Sequence, residues 1–194
     1  MRGLLLGFGA VMLSGCALTY QPPTEQPVDN TILVSKSFDE AWEDLLEFTS
    51  QTFFSIDNLE RDSGFINLNF NPTPASEFAD CGFASVPANP YNPASPFEGS
   101  YVEYVELAAG AQLEGSMNIL LQEVGPNQTE VSVNARYGLI LPPMATPNGV
   151  APAMTVVFGT NDPGSASSIQ TAGEQRTCQS TGEAEELVLD AVRG

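Results

Sequence analysis

Glu114 to Leu141, EGSMNILLQEVGPNQTEVSVNARYGLIL, carries the clearest structural period in the chain. On either side of GPNQT the apolar residues recur at every second position, separated by Asn, Ser, Glu and Thr. A period of two sends successive side chains to opposite faces of an extended chain, so each arm predicts a strand with one buried and one wet face. GPNQT supplies the turn of an antiparallel hairpin.

Working outward, YVEYVEL (101–107) alternates in the same way and is expected to be a further strand, as is MTVVFGT (154–160) downstream. Upstream, Phe54 and Ile56, then Ile66, Leu68 and Phe70, alternate around the Gly-containing turn NLERDSG, which predicts a second hairpin over residues 53–60 and 64–70. The turn's RDSG does not space its oxygens at alternate positions over about twelve residues, as a calcium loop requires. TILVS (31–35) reads as a short strand. Two stretches carry a helical period instead. SFDEAWEDLLEFTSQ begins with Ser37 and Glu40 at capping-box spacing, and its apolar residues Phe38, Ala41, Trp42, Leu45 and Leu46 fall on one face. Trp42 on that face is read as a core anchor rather than a ligand platform. STGEAEELVLDAV near the C-terminus repeats the box with Ser180 and Glu183 and an apolar stripe of Leu187, Val188, Ala191 and Val192.

Residues 71–99 hold six prolines and no period, and are expected to form a long irregular insertion. A second Pro-rich interruption spans 142–152. The resulting order predicts a single α+β domain over residues 31–194, with an antiparallel sheet gripped by an N-terminal and a C-terminal helix. That order resembles the helix-grip domains of START-type proteins and of the lipoprotein C of the outer-membrane β-barrel assembly machinery. SFDEAWEDLLEF, DCG and CQSTGEAEEL are similar to segments of uncharacterised envelope lipoproteins. The first resemblance implies a groove between closing helix and sheet; the second implies no activity.

The opening MRGLLLGFGAVMLSGCA joins one positive charge, Arg2, to an apolar run too short to span a bilayer, and predicts a signal peptide over residues 1–15. Leu13-Ser14-Gly15-Cys16 resembles the lipobox of bacterial lipoproteins, which implies cleavage before Cys16 and acylation of its thiol. The alternative is ordinary cleavage near Ala17. Multiple acyl chains give a stable anchor where one gives marginal binding. Ala17 resembles the enterobacterial pattern for export to the outer membrane, which implies a lipid-anchored domain facing the periplasm or the cell surface. Residues 16–30, Pro-rich and polar, are expected to be a flexible tether reaching about 40 Å.

Loss of the signal would leave 24 acidic against five basic residues, with Lys36 the one lysine. So few cations argue against nucleic acid, whose phosphates require Lys and Arg, and against an electrostatic grip on anionic lipid. The chain has no histidine, which removes Cys-His and Ser-His nucleophile pairs and the usual imidazole zinc ligands. No G-x-S-x-G is present, and a Ser-Lys dyad would have to use Lys36 beside Ser35 and Ser37. Abundant carboxylates leave sugar hydrolysis open in principle, but surface solvation accounts for them. No catalytic residue, metal or cofactor is therefore assigned.

Cys178 stands just ahead of the closing helix, where a reactive thiol would need cationic neighbours. Arg176 is near, yet Glu174, Glu183, Glu185 and Glu186 oppose a thiolate. A disulfide between Cys81 and Cys178 suits an exported chain; free or intermolecular thiols are the alternative. The expected function is that of a non-catalytic accessory or adaptor for another envelope component, with Phe83, Tyr91 and Phe97 as candidate contacts to a protein partner or as rings that fold back on the sheet. The rival expectation is a carrier of lipid or another small apolar ligand.

Overall fold

A computed structural model describes residues 18–90, 92, 94–146, 149–166 and 176–193. In chain order its strands and helices are β1 (Thr19–Gln21), β2 (Thr31–Val34), α1 (Phe38–Gln51), β3 (Ser55–Glu60), β4 (Phe65–Phe70), β5 (Ala79–Asp80), β6 (Phe83–Val86), β7 (Phe97–Ser100), α2 (Tyr101–Ala109), β8 (Gln112–Gly125), β9 (Gln128–Leu141), β10 (Met144–Thr146), β11 (Gly149–Ala151), β12 (Met154–Gly159), β13 (Gly164–Ala166), β14 (Arg176–Ser180) and α3 (Glu183–Arg193). It is a mixed α+β domain of antiparallel sheets and three helices among the described residues.

The β8–β9 hairpin is the spine. Its fourteen-residue arms pair from Gln112↔Ile140 to Gly125↔Gln128. β4 and then β3 extend the sheet beyond β8. The far edge of β9 is shared: its first half pairs with β2 and its second half with β12. Alternation along β9 is strict, with Thr129, Val131, Val133, Ala135, Tyr137, Leu139 and Leu141 buried. These side chains, with Leu113, Met117, Ile119 and Leu121 of β8 and Ile66, Leu68 and Phe70 of β4, face α1 and α3. Burial of that one apolar face is the main force holding the layers together.

The other face is wet. Asn58, Asn67, Asn118 and Asn134 lie in one register row across β3, β4, β8 and β9. The Asn67 amide donates to Asn118 Oδ1 at 2.7 Å, and the Asn30 amide to Asn134 Oδ1 at 3.0 Å. α1 starts with the expected box: Ser37 Oγ accepts the Glu40 N–H, and the Glu40 carboxylate accepts the Ser37 N–H at 2.9 Å. The Ser37 N–H, and then the Ser37 hydroxyl, which donates to the same carboxylate at 2.8 Å, hold the exposed Glu40 carboxyl below its ordinary range. Trp42 is 2 % exposed and stacks on Phe38, as a core anchor should.

Several expectations are corrected. YVEYVEL is not a strand but most of α2. Tyr101, Val102, Tyr104 and Val105 are all buried, a three-and-four spacing that a short apolar run satisfies as readily as alternation. Gly110 closes the helix in the left-handed conformation (φ 69°), its N–H donating to the Glu106 carbonyl at 2.8 Å. Residues 71–99, expected to be irregular, contain β5, β6, most of β7 and a 3₁₀ turn at Ala75–Glu77. Ser180 and Glu183 do not form a capping box: Ser180 Oγ accepts the Gly182 N–H and reaches Glu185, while Thr181 Oγ1 receives the Glu183 N–H.

The stretch expected as a tether is also different from Thr19 onward. β1 pairs with β6. Gln179 Nε2 donates to the Thr24 carbonyl, and the Asn161 amide brackets the backbone of Val28, accepting from its N–H at 2.8 Å and donating to its carbonyl at 3.0 Å. Pro-rich composition predicts extended backbone correctly, but extended backbone also pairs with a sheet edge when one is offered.

Candidate functional site

Three constellations lie where α3 and β14 meet the rest of the domain. The first is a buried polar cluster. Glu185 sits on the inner face of α3 among Ala184, Val188, Leu189 and Val192 and has no exposed surface. Its carboxylate accepts from the Tyr137 hydroxyl at 2.7 Å, from Thr160 Oγ1 at 2.7 Å and from Ser180 Oγ at 3.2 Å. Thr160 Oγ1 in turn accepts the Ala135 N–H at 2.7 Å. Burial, and then the Glu185 charge beside it, push the Tyr137 phenol far above its ordinary range. A buried carboxylate is tolerated only when its oxygens are satisfied, and here hydroxyls from β9, β14 and the residue following β12 all do so. Tyr137, Thr160 and Ser180 are each at most 7 % exposed. The geometry therefore fastens α3 to the sheet; it offers no oxygen to an incoming substrate.

The second is a cation clasp. Arg176 is 2 % exposed. Its guanidinium lies 4.0 Å from the ring centroid of Tyr20 and 5.4 Å from that of Tyr101. Tyr20 and Tyr101 meet edge to face at 5.6 Å. Burial pushes the Tyr101 phenol up to about 12, with the Arg176 charge opposing. The Tyr20 hydroxyl accepts the Thr177 N–H at 3.1 Å. β1 thus closes over a desolvated arginine, a setting in which a cation–π contact is stronger than at an open surface.

The third is the disulfide Cys81–Cys178, spanning 97 residues. It joins the interior of the Pro-rich segment 71–99 to β14, beside β5, which pairs with β14 through Gln179↔Asp80 and Ser180↔Ala79. Both cysteines are buried.

The remaining candidates do not converge. Cys16 and Tyr91 lie outside the described residues. Phe83 is 38 % exposed at the start of β6, opposite Gln21 on one side and Ser100 on the other. Phe97, at the other end of the β6–β7 pair, is half-buried with its ring 5.5 Å from that of Tyr104. One of the two rings faces solvent and the other folds back.

Sequence reasoning missed the Glu185 cluster and the Arg176 clasp. The signal for the first was present: Glu185 falls three residues before Val188 and four before Leu189, an acid inside an apolar stripe, which marks either a partnered carboxylate or a broken helix. For Arg176 no local pattern names Tyr20 and Tyr101, which are 156 and 75 residues away by numbering.

Among the described residues no cluster of three or more Cys, Asp or Glu is placed to hold a metal ion, and no helix is long and apolar enough to cross a membrane. Two clefts of about 350 and 360 Å³ open elsewhere, one lined by Asn71, Thr73, Glu106 and Gln112, the other by Phe53, Asn69, Phe70 and Glu114. Compared with protein-family models, with curated proteins and with solved structures, the chain finds no match in any of the three.

Proposed function

We propose that this chain is a non-catalytic envelope lipoprotein, acylated at Cys16 on the outer membrane, whose helix-grip-like domain acts as an accessory or adaptor for another envelope protein. The observation that carries the reading is the junction of α3 and the sheet. In a carrier of the helix-grip type the ligand would occupy that junction. Here Tyr137 and Glu185 are in direct hydrogen bond across it, with Val188, Leu189 and Val192 fully buried around them. Neither described cleft touches α3.

A docking margin is available at β3. This strand ends the sheet, and nothing among the described residues pairs with its outer edge. Ile56 and Leu59 register with the core residues Leu68 and Ile66, yet they are 44 % and 43 % exposed. Phe53 beside them is 44 % exposed and stacks on Phe54. An open strand edge flanked by apolar side chains is a template for an added strand or an apolar partner face.

Purification of the chain from crosslinked intact membranes, followed by solvent extraction of the eluate, tests the reading. The proposal expects a protein partner retained by the native chain, lost from Ile56→Asp/Leu59→Asp at unchanged thermal stability, and an extract without stoichiometric apolar ligand. A stoichiometric lipid and no such partner would instead establish a carrier.

A further inference from the structure

The fastened N-terminal segment fixes where an anchored chain meets its membrane. β1 and β6 are antiparallel, with Thr19 opposite Ser85 and Gln21 opposite Phe83. Moving from Thr19 to Leu18 therefore leads toward Val86 and the exposed residues Pro87–Pro90 that follow it. Leu18 packs partly buried against the core. Cys16 is two residues ahead of it, and two peptide units cannot carry it more than about 8 Å from the Leu18 backbone. Gly82 secures the arrangement: at φ 84° its missing side chain makes room for the Gln21 carbonyl, which any Cβ would strike. The Arg176–Tyr20 contact holds the same strand from the other side.

The chemistry of that end also differs from the rest of the surface. In a chain of net charge −18, residues 81–97 contain no acid and no base. Pro87, Ala88, Asn89 and Pro90 are exposed, and the loop is closed on itself by the Ser95 hydroxyl, which accepts the Asn89 N–H at 2.8 Å and donates to the Asn89 carbonyl at 2.9 Å. A stretch without carboxylates, whose nearest acid in β7 is Glu98 opposite Ser85, is one that an acidic protein can bring close to lipid headgroups with least repulsion.

We propose that the end of the β1–β6–β7 sheet bearing Pro87–Pro90 is the bilayer-facing surface of the domain, held against the headgroup layer by a short anchor. The proposal rests on acylation of Cys16. It makes this loop a membrane contact rather than the adaptor's protein-docking site and leaves β3 free for that role.

The test uses the full acylated chain, its acyl mass verified, in phosphatidylcholine–phosphatidylglycerol vesicles containing a headgroup spin label. Tryptophan emission is compared for Ala88→Trp and for Val124→Trp, which sits beside the β8–β9 turn at the opposite end of β8 from α2, with the native chain's Trp42 signal subtracted. Quenching several-fold greater for Ala88→Trp is expected, with the difference abolished by Tyr20→Ala. Equal quenching at the two positions in acylated protein would overturn the orientation alone, and would return this end of the domain to the surfaces open to protein. Persistence of the difference in Tyr20→Ala would overturn the clasp as its cause. A chain without acyl mass would overturn the lipoprotein reading and the orientation with it.

Discussion

Glu185 occupies a place in α3 where the stripe calls for an apolar residue, and the fold accommodates it by aiming three hydroxyls at one carboxylate. Removal of the acceptor would strand those hydroxyls in the core, each with an unmet hydrogen bond worth about 1–3 kcal/mol. Glu185→Ala is accordingly expected to lower stability by at least about 3 kcal/mol, and Tyr137→Phe by about 1–3 kcal/mol. In a double-mutant cycle by urea denaturation the two should be strongly coupled; additive losses would mean that the bond contributes little. The phenols give a second signature. Tyr101 and Tyr137 keep their protons in the folded state above pH 10, where unfolded tyrosines release theirs. Their contribution is fully present below about pH 10 and is lost as pH rises toward the folded value of about 12 for Tyr101, at about 1.4 kcal/mol per pH unit per phenol. Denaturation curves at pH 9 and pH 11 should therefore differ, with a smaller difference in Tyr101→Phe. Equal stability at the two values would contradict these environments.

Among the elements, α3 and the segment ahead of it depend most on a covalent link. Closing a loop of about 100 residues stabilises by about 4.7 kcal/mol in the chain-entropy model, and the Cys81–Cys178 loop spans 97. Cys81→Ser and Cys178→Ser should each cost a similar amount, with the double variant little worse, by thermal or urea unfolding; additive losses would show that the sulfurs act separately. The element pattern also shows what the sequence makes legible. β4, β8, β9, β12 and α1 were readable because each buries one whole face, so a single period runs through it. The capping box of α1 was readable because it is local, and the same spacing at Ser180 and Glu183 misled because the buried Glu185 competes for the hydroxyl. YVEYVEL was ambiguous because four buried residues in five leave no polar face to set the period. β5, β6 and β7 were hidden because their partners are distant: β6 pairs with β1 and β5 with β14. The two cysteines, although 97 residues apart, were legible as a pair because thiols in an exported chain pair by residue type, whereas no residue type marks Tyr20 and Tyr101 as the neighbours of Arg176.

At the scale of the whole molecule, the layers divide the work. One sheet face holds the helices, the opposite face carries the asparagine row, the β3 edge is open, and the N-terminal strand is fastened beside an uncharged loop. A formal charge of −18 disfavours self-association, so under the proposed lipoprotein reading attachment to a membrane would come from acyl chains at Cys16. Cys16→Ser is expected to move the protein from the membrane pellet to the soluble fraction or to leave the signal uncleaved. Unchanged fractionation and mass would contradict the anchor. Docking of a protein at the β3 margin, rather than enclosure of a ligand beneath α3, is the proposed mode of action. Site-specific photocrosslinking in intact cells tests it most directly, with the reactive side chain placed at Leu59 and, for comparison, at Asn118 on the wet face. One discrete protein adduct is expected from position 59 that is absent from position 118; no protein adduct at 59, or the same adducts from both positions, would rule out docking at this margin.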